Sequence, residues 1–241
     1  MKRATGLRCA RPLAAICCCL LSGVASPTWG YTPESPEVQA MVGRGVAYVE
    51  KSFGQGPMDD ELGGVCICAL ACYSHRGDAN HPIVQKALAR IQESVRDGFK
   101  QGAHENYGLG IALLLLGTLD PAPRKEMNAL LDEVYKRQHA SGAWTYPGDP
   151  LGGTSQTQFA CLGMWVASRN GINVDQQTVE RVCNWLLRVQ ERSGVFPYKG
   201  RTRAALLASN NKRSHPPRCV RRALGACTSA VSYLALSIPR R

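Results

Sequence analysis

Apolar positions between residues 37 and 198 follow two alternating patterns. In one, they form a stripe on an otherwise polar segment. Met127, Leu130, Leu131 and Val134 stand at i, i+3, i+4 and i+7, and Val179, Val182, Leu186 and Val189 form a matching stripe. In the other, a segment is apolar almost all round, as in ELGGVCICALACYS (61–74), NYGLGIALLLLGTL (106–119) and TSQTQFACLGMWVASRNG (154–171). A helix of the first kind covers a core on one face, and a helix of the second kind must be buried. The alternation predicts helix pairs, each with an outer and an inner member. Glu37–Phe53 pairs with Glu61–Ser74, and Pro82–Asp97 with Asn106–Leu119. Further outer helices begin near 124 and 175.

Local signals agree with these boundaries. Pro82 suits a first helical turn, and Asp120-Pro121 stops the apolar helix before it. Thr154 or Ser155 can cap the inner helix that follows, and Gly171 can close it in the left-handed conformation. Gly63, Gly64, Gly108, Gly110 and Gly163 lie on inner helices, where the missing side chain permits close helix contact. Strand signals are almost absent. The predicted fold class is all-α, an α/α toroid of about four helix pairs forming an incomplete ring.

Comparing the chain with itself adds the most specific feature. QHASGAWTY (138–146) and QERSGVFPY (190–198) match at an offset of 52, each directly after an outer helix. Gln138, Ser141, Gly142, Trp144 and Tyr146 correspond to Gln190, Ser193, Gly194, Phe196 and Tyr198. Five matches in nine positions, in register, mark an internal repeat.

This Gln-x3-Gly-x-Trp/Phe turn, followed by an apolar helix, resembles the QW motif of squalene and other triterpene cyclases. The helix-pair plan also resembles protein prenyltransferase β subunits, and TQFACLGMWVA (157–167) resembles the inner-helix segment of squalene-cyclase-like repeat proteins of bacteria. The resemblance covers about residues 37–198. It implies a fold clasp: Gln138 and Gln190 hydrogen-bond backbone at a helix end, Trp144 and Phe196 stack beneath, Gly142 and Gly194 supply backbone freedom, and Tyr146 and Tyr198 complete the motif. Those duties mark a fold and do not mark catalysis. Complete rings in these families carry more helix pairs than the four expected here. An incomplete ring cannot enclose a carbocation, but it offers an open surface suited to a macromolecule or a hydrophobic ligand.

The chemistry of those families is not matched. Triterpene cyclases use an Asp-rich DxDD acid, which this sequence lacks. Its nearest counterpart is Asp59, Asp60 and Glu61, just before an apolar helix, where acids serve equally to cap free amides. These three are the only catalytic candidates. Prenyltransferases hold zinc with Asp, Cys and His. The comparable inner helix offers Ser155, Gln158 and Cys161 without a carboxylate, and His75, His81, His104, His139 and His215 are scattered. No metal site and no cofactor are therefore expected. Nor is there a thioester GCGEQ sequence, a lyase-type base or a phosphate-cradling glycine loop. The expected function is a non-catalytic binding module. An isoprenoid-processing enzyme is the alternative, and a carbohydrate-active enzyme is the weaker third reading.

Charge and cysteine usage bear on the ends. The net charge is +11, yet residues 1–30 and 199–241 hold four and ten Lys/Arg without one acid. Residues 31–198 hold 15 basic against 18 acidic residues, a net of −3, which argues against a nucleic-acid partner. Lys2, Arg3, Arg8 and Arg11 precede the apolar run Leu13–Ala25, shorter than the roughly 20 residues of a membrane span. Residues 1–30 read as a signal peptide and 31–198 as the repeat domain, exported to the periplasm or secreted. A retained N-terminal anchor is the alternative. Residues 199–241 form a basic irregular tail in which Pro216-Pro217 breaks the inner helix due near 209–219. CTSAVSYLALSI (227–238) is either that helix displaced or part of a frameshifted end. Seven of eleven cysteines follow the signal, an odd number. Cys68 and Cys72, four apart in an apolar helix, read as small buried hydrophobes.

Overall fold

A computed structural model of the protein describes residues 30–56, 61–99 and 105–200. Along them run α1 (Pro36–Ser52), α2 (Leu62–Arg76), α3 (Pro82–Asp97), α4 (Glu105–Thr118), α5 (Arg124–Lys136), α6 (Thr154–Arg169) and α7 (Gln176–Val189). Among the described residues there is no strand, only one isolated antiparallel bridge between Gly153 and Lys199. The chain is all-α.

Two compact units meet inside α1, the first ending at Ala40 and the second beginning at Met41. In the first, a Thr32–Ser35 turn starts α1, with the Thr32 N–H donating to Ser35 Oγ at 2.9 Å. Gln39 Nε2 donates back to the Pro33 carbonyl at 2.6 Å. All that follows concerns the second unit.

The two hydropathy patterns become two kinds of helix. α4 buries Leu109, Ala112, Leu113, Leu115 and Leu116 completely, because it packs against α2, α5 and α6 at once. α3 buries Ile83, Val84, Ala87, Ile91 and Ser94 on one face, and α5 buries Met127, Leu130, Leu131, Glu133 and Val134. Glycine sets the inner contacts. A Cβ on Gly63 would stand 3.1 Å from Gly108 Cα, and one on Gly110 would stand 2.5 Å from the Phe159 carbonyl oxygen. One on Gly163 would lie 2.6 Å from Leu113 Cδ1. Alanine at Gly110 would force the α4 and α6 backbones apart, whereas at Gly63 and Gly163 the neighbouring backbone or the Leu113 side chain would have to shift.

Helix ends largely follow the sequence signals. Pro82 opens α3, and Gly171, at φ +71°, follows α6 in the left-handed conformation. The cap of α6 is different from expectation. Gly153 holds the cap position and no side chain caps it. Thr154 Oγ donates instead to the Pro197 carbonyl, and Ser155 Oγ accepts from Tyr107. Both hydroxyls are drawn to neighbours that only the tertiary fold supplies. Glu61 is the cap residue of α2, in extended conformation without a side-chain capping bond. Asp59 and Asp60 lie outside the described residues. So do residues 1–29, the proline pair at 216–217, His104, His215, Cys219 and Cys227. Lys199 and Gly200, which the sequence assigns to the tail, pair with the body: the Gly200 N–H donates to the Gly152 carbonyl at 2.8 Å.

Candidate functional site: the paired turns and the cleft beside them

The two matching turns share one backbone design. The His139 N–H donates to the Ala143 carbonyl and the Gly142 N–H to the His139 carbonyl, both at 2.8 Å. The Glu191 and Gly194 N–H groups repeat these bonds at 2.9 Å, to Val195 and Glu191. Gln138 Nε2 donates to the Gly142 carbonyl at 3.0 Å, and Gln190 Nε2 to the Gly194 carbonyl at 2.9 Å. Gly142 and Gly194 stand at φ +95° and +90°, where a side chain is strained. The internal repeat is therefore structural as well as textual.

The glutamine does less at its own helix end than the resemblance implies. The last turn of α5 is served by the ring: Trp144 Nε1 donates to the Val134 carbonyl at 2.8 Å. Gln138 reaches forward instead, giving its second amide hydrogen to the Thr178 carbonyl of α7 at 2.9 Å, while Arg181 Nε donates to its Oε1. The turn thus clamps two consecutive outer helices.

At their far ends the two motifs touch. Tyr146 and Tyr198, equivalent across the 52-residue repeat, bring their hydroxyl oxygens within 3.1 Å of each other. Tyr146 is also 2.7 Å from the Tyr107 hydroxyl, which donates to Ser155 Oγ at 2.8 Å. Each phenol has one proton, so the direction of the row is fixed. Tyr107 gives its proton to Ser155, Tyr146 must then donate to Tyr107, and Tyr198 to Tyr146. The row runs from exposed Tyr198 inward to the start of α6.

Beside this row lies an open cleft of about 630 Å³, lined among others by Asn106, Glu133, Arg137, Tyr146 and Asp149. Glu133 and Arg137 form an ion pair at 2.7 Å with only 11% of each side chain exposed. Asp149, also in the lining, pairs with Lys199 at 2.9 Å and accepts the Leu151 N–H at 3.0 Å. The Leu151 N–H and then the Lys199 ammonium hold the Asp149 carboxyl below its usual range, and Asp149 raises Lys199 in turn. Asn106 is 9% exposed and gives Nδ2 to the Thr145 carbonyl at a long 3.5 Å, yet its buried Oδ1 accepts no hydrogen bond. A buried acceptor left without a partner costs stability.

Sequence reasoning placed Tyr146 and Tyr198 here through the repeat but missed Tyr107, Asn106, Glu133 and Arg137. The Glu133–Arg137 spacing of four and a lone amide on an apolar helix were the available signals. Gln158, named with Ser155 and Cys161 on the inner helix, is exposed. The histidines are less scattered than the sequence suggests, because His81 comes within reach of Glu50 and Cys72. Comparison with family models, with curated proteins and with solved structures finds no match to this chain.

Proposed function

We propose that the chain is an exported α/α-repeat module of the squalene-cyclase and prenyltransferase type that binds a polar ligand rather than transforming one. The recognition surface is the cleft beside the paired turns. The observation that carries this reading is the cleft's lining, where Asn106 and Tyr146 stand beside the Glu133 and Asp149 carboxylates, each held in an ion pair. Each carboxylate in that lining is already neutralised by a cation, so neither stands ready as an acid or a nucleophile. Charges of both signs, with tyrosine hydroxyls beside them, suit a neutral ligand carrying hydroxyl or amide groups. The hydrophobic ligand expected from sequence fits this lining less well. No helix among the described residues is long and apolar enough to cross a membrane. Export rests on the basic and apolar pattern of residues 2–25.

The test has two arms. Incubation with squalene and prenyl diphosphates is expected to give no product; conversion abolished by Asp59→Asn and Asp60→Asn would overturn the binding reading. In parallel, thermal shift against neutral saccharides and short peptides is expected to find a binder that Asn106→Leu abolishes. The same substitution should leave the fold at least as stable, because it removes an unsatisfied buried acceptor. Hits confined to hydrophobic compounds and indifferent to Asn106 would move the site elsewhere.

A further inference from the structure

Away from the cleft, three helices bring three different donor groups together. Glu50 on α1, Cys72 on α2 and His81 at the start of α3 each offer one ligand atom, all within 4.8 Å of one another. We propose that Glu50 Oε1, Cys72 Sγ and His81 Nε2 form a binding site for a zinc-class divalent cation, with water in the fourth position. This proposal is independent of the cleft and its ligand.

The donor set decides the class of metal. A thiolate with an imidazole and a carboxylate is a zinc-type combination, whereas calcium and magnesium take oxygen ligands alone. Thiolate and carboxylate together balance the charge of a dication. The three residues lie 22 and 9 positions apart, so the set exists only because α1, α2 and α3 converge.

Two existing contacts must yield, and each can. Arg76 grips Glu50 twice, Nε to Oε1 at 2.6 Å and Nη2 to Oε2 at 2.7 Å. A cation on Oε1 displaces the first bond and leaves the second, which then orients the carboxylate from behind. His81 Nδ1 accepts the Ile83 N–H at 3.3 Å, so the neutral ring carries its proton on Nε2 and gives it to Glu50 Oε1 at 3.0 Å. Metal binding moves that proton to Nδ1 and gives up one long capping bond.

The remaining proton comes from the thiol. Burial first, and then the Glu50 carboxylate, push the Cys72 thiol up, so the free protein keeps it protonated. A dication reverses the effect of both causes: the S–H bond breaks, the metal–sulfur bond forms, and one proton leaves to solvent. Cys72 itself is buried, but 24% of the Glu50 side chain and 13% of His81 are exposed, which gives the ion a way in. Cys68, one turn away on α2, is outside the set and serves as the control.

The experiment is titration of the reduced, metal-free full chain with Co²⁺ and then Zn²⁺. One Co²⁺ should bind per chain with a thiolate charge-transfer band in the near ultraviolet, and Zn²⁺ should displace it. Cys72→Ser should abolish the band and Cys68→Ser should keep it. Glu50→Gln and His81→Ala should each weaken binding by at least about tenfold. A folded wild type, checked by circular dichroism, that gives no such band overturns the proposal. So does a band that survives Cys72→Ser. If Cys72→Ser does not fold, the wild-type titration and His81→Ala still decide.

Discussion

The two Gln-x3-Gly turns have the same backbone bonds and the same glutamine-to-glycine link, yet they sit in different surroundings. In the first, Trp144 is wholly buried and Gln138 ties α7 to the turn. In the second, Phe196 is half-buried, while Val195 and Tyr198 are each 59% exposed. The local motif is therefore sufficient to set the turn's shape and insufficient to set its energetic weight. That weight comes from the helix that packs over it.

The largest test of this difference is the ring. Trp144→Ala should destabilise the fold by about 3–5 kcal/mol, since it empties a core site and frees the Val134 carbonyl. Phe196→Ala, at the equivalent place, should cost about 1–1.5 kcal/mol. Urea unfolding of both variants measures the contrast. Equal losses would mean that the two turns carry equal weight, and the comparison would fail.

Glycine gives the next largest contrast. Both positions have positive φ, so alanine is strained at each by about 1–2 kcal/mol. At Gly194 nothing else lies within 4 Å of the new methyl group. At Gly142 the methyl carbon would stand 2.3 Å from the Arg181 carbonyl oxygen, and backbone must move. Gly142→Ala should therefore cost at least about 3 kcal/mol and Gly194→Ala only the strain. The glutamines come third. Gln138→Ala removes the donor to the Gly142 carbonyl together with the ties to Thr178 and Arg181 of α7 and should cost about 2 kcal/mol, against less than about 1 kcal/mol for Gln190→Ala.

These contrasts show what the sequence could convey. The helices were readable because their cues are local: α3 begins at Pro82 and ends at Asp97, as its stripe and its proline imply. The Tyr146 and Tyr198 pair was readable in part, since the 52-residue offset marks equivalence but not contact. Residues whose meaning depends on partners far along the chain were not readable. Tyr107 is an aromatic on an apolar helix until Tyr146 and Ser155 arrive, 39 and 48 residues later. His81 looks like an isolated loop histidine until α1 delivers Glu50 from 31 residues upstream. The α6 cap misled for the same reason, because Thr154 and Ser155 found tertiary partners in place of their own helix end.

The smallest expected effect concerns the link between the two turns. Asp149 follows the first turn and Lys199 follows the second, and their ion pair joins the segments at 2.9 Å. The Asp149 carboxyl is held below its ordinary range, so the folded state binds its proton less readily than the unfolded chain does. Its contribution is thus fully present above the ordinary carboxylate value of about 4 and is lost as pH falls through the lowered value. Asp175, which caps α7 by accepting the Thr178 N–H at 2.8 Å, is lowered too and fades in the same acidic window. The two must therefore be separated by substitution. Asp149→Asn should lower the melting temperature modestly at pH 7 and not at all once pH is low enough to protonate Asp149 in the wild type. Asp175→Asn should behave likewise but leave the Tyr146–Tyr198 contact intact, which the chemical shifts of the two tyrosine rings report. If Asp149→Asn leaves those rings undisturbed at pH 7, the pairing of the turns rests on the tyrosines and on the bonds that Gly152 and Thr154 make to residues 197–200.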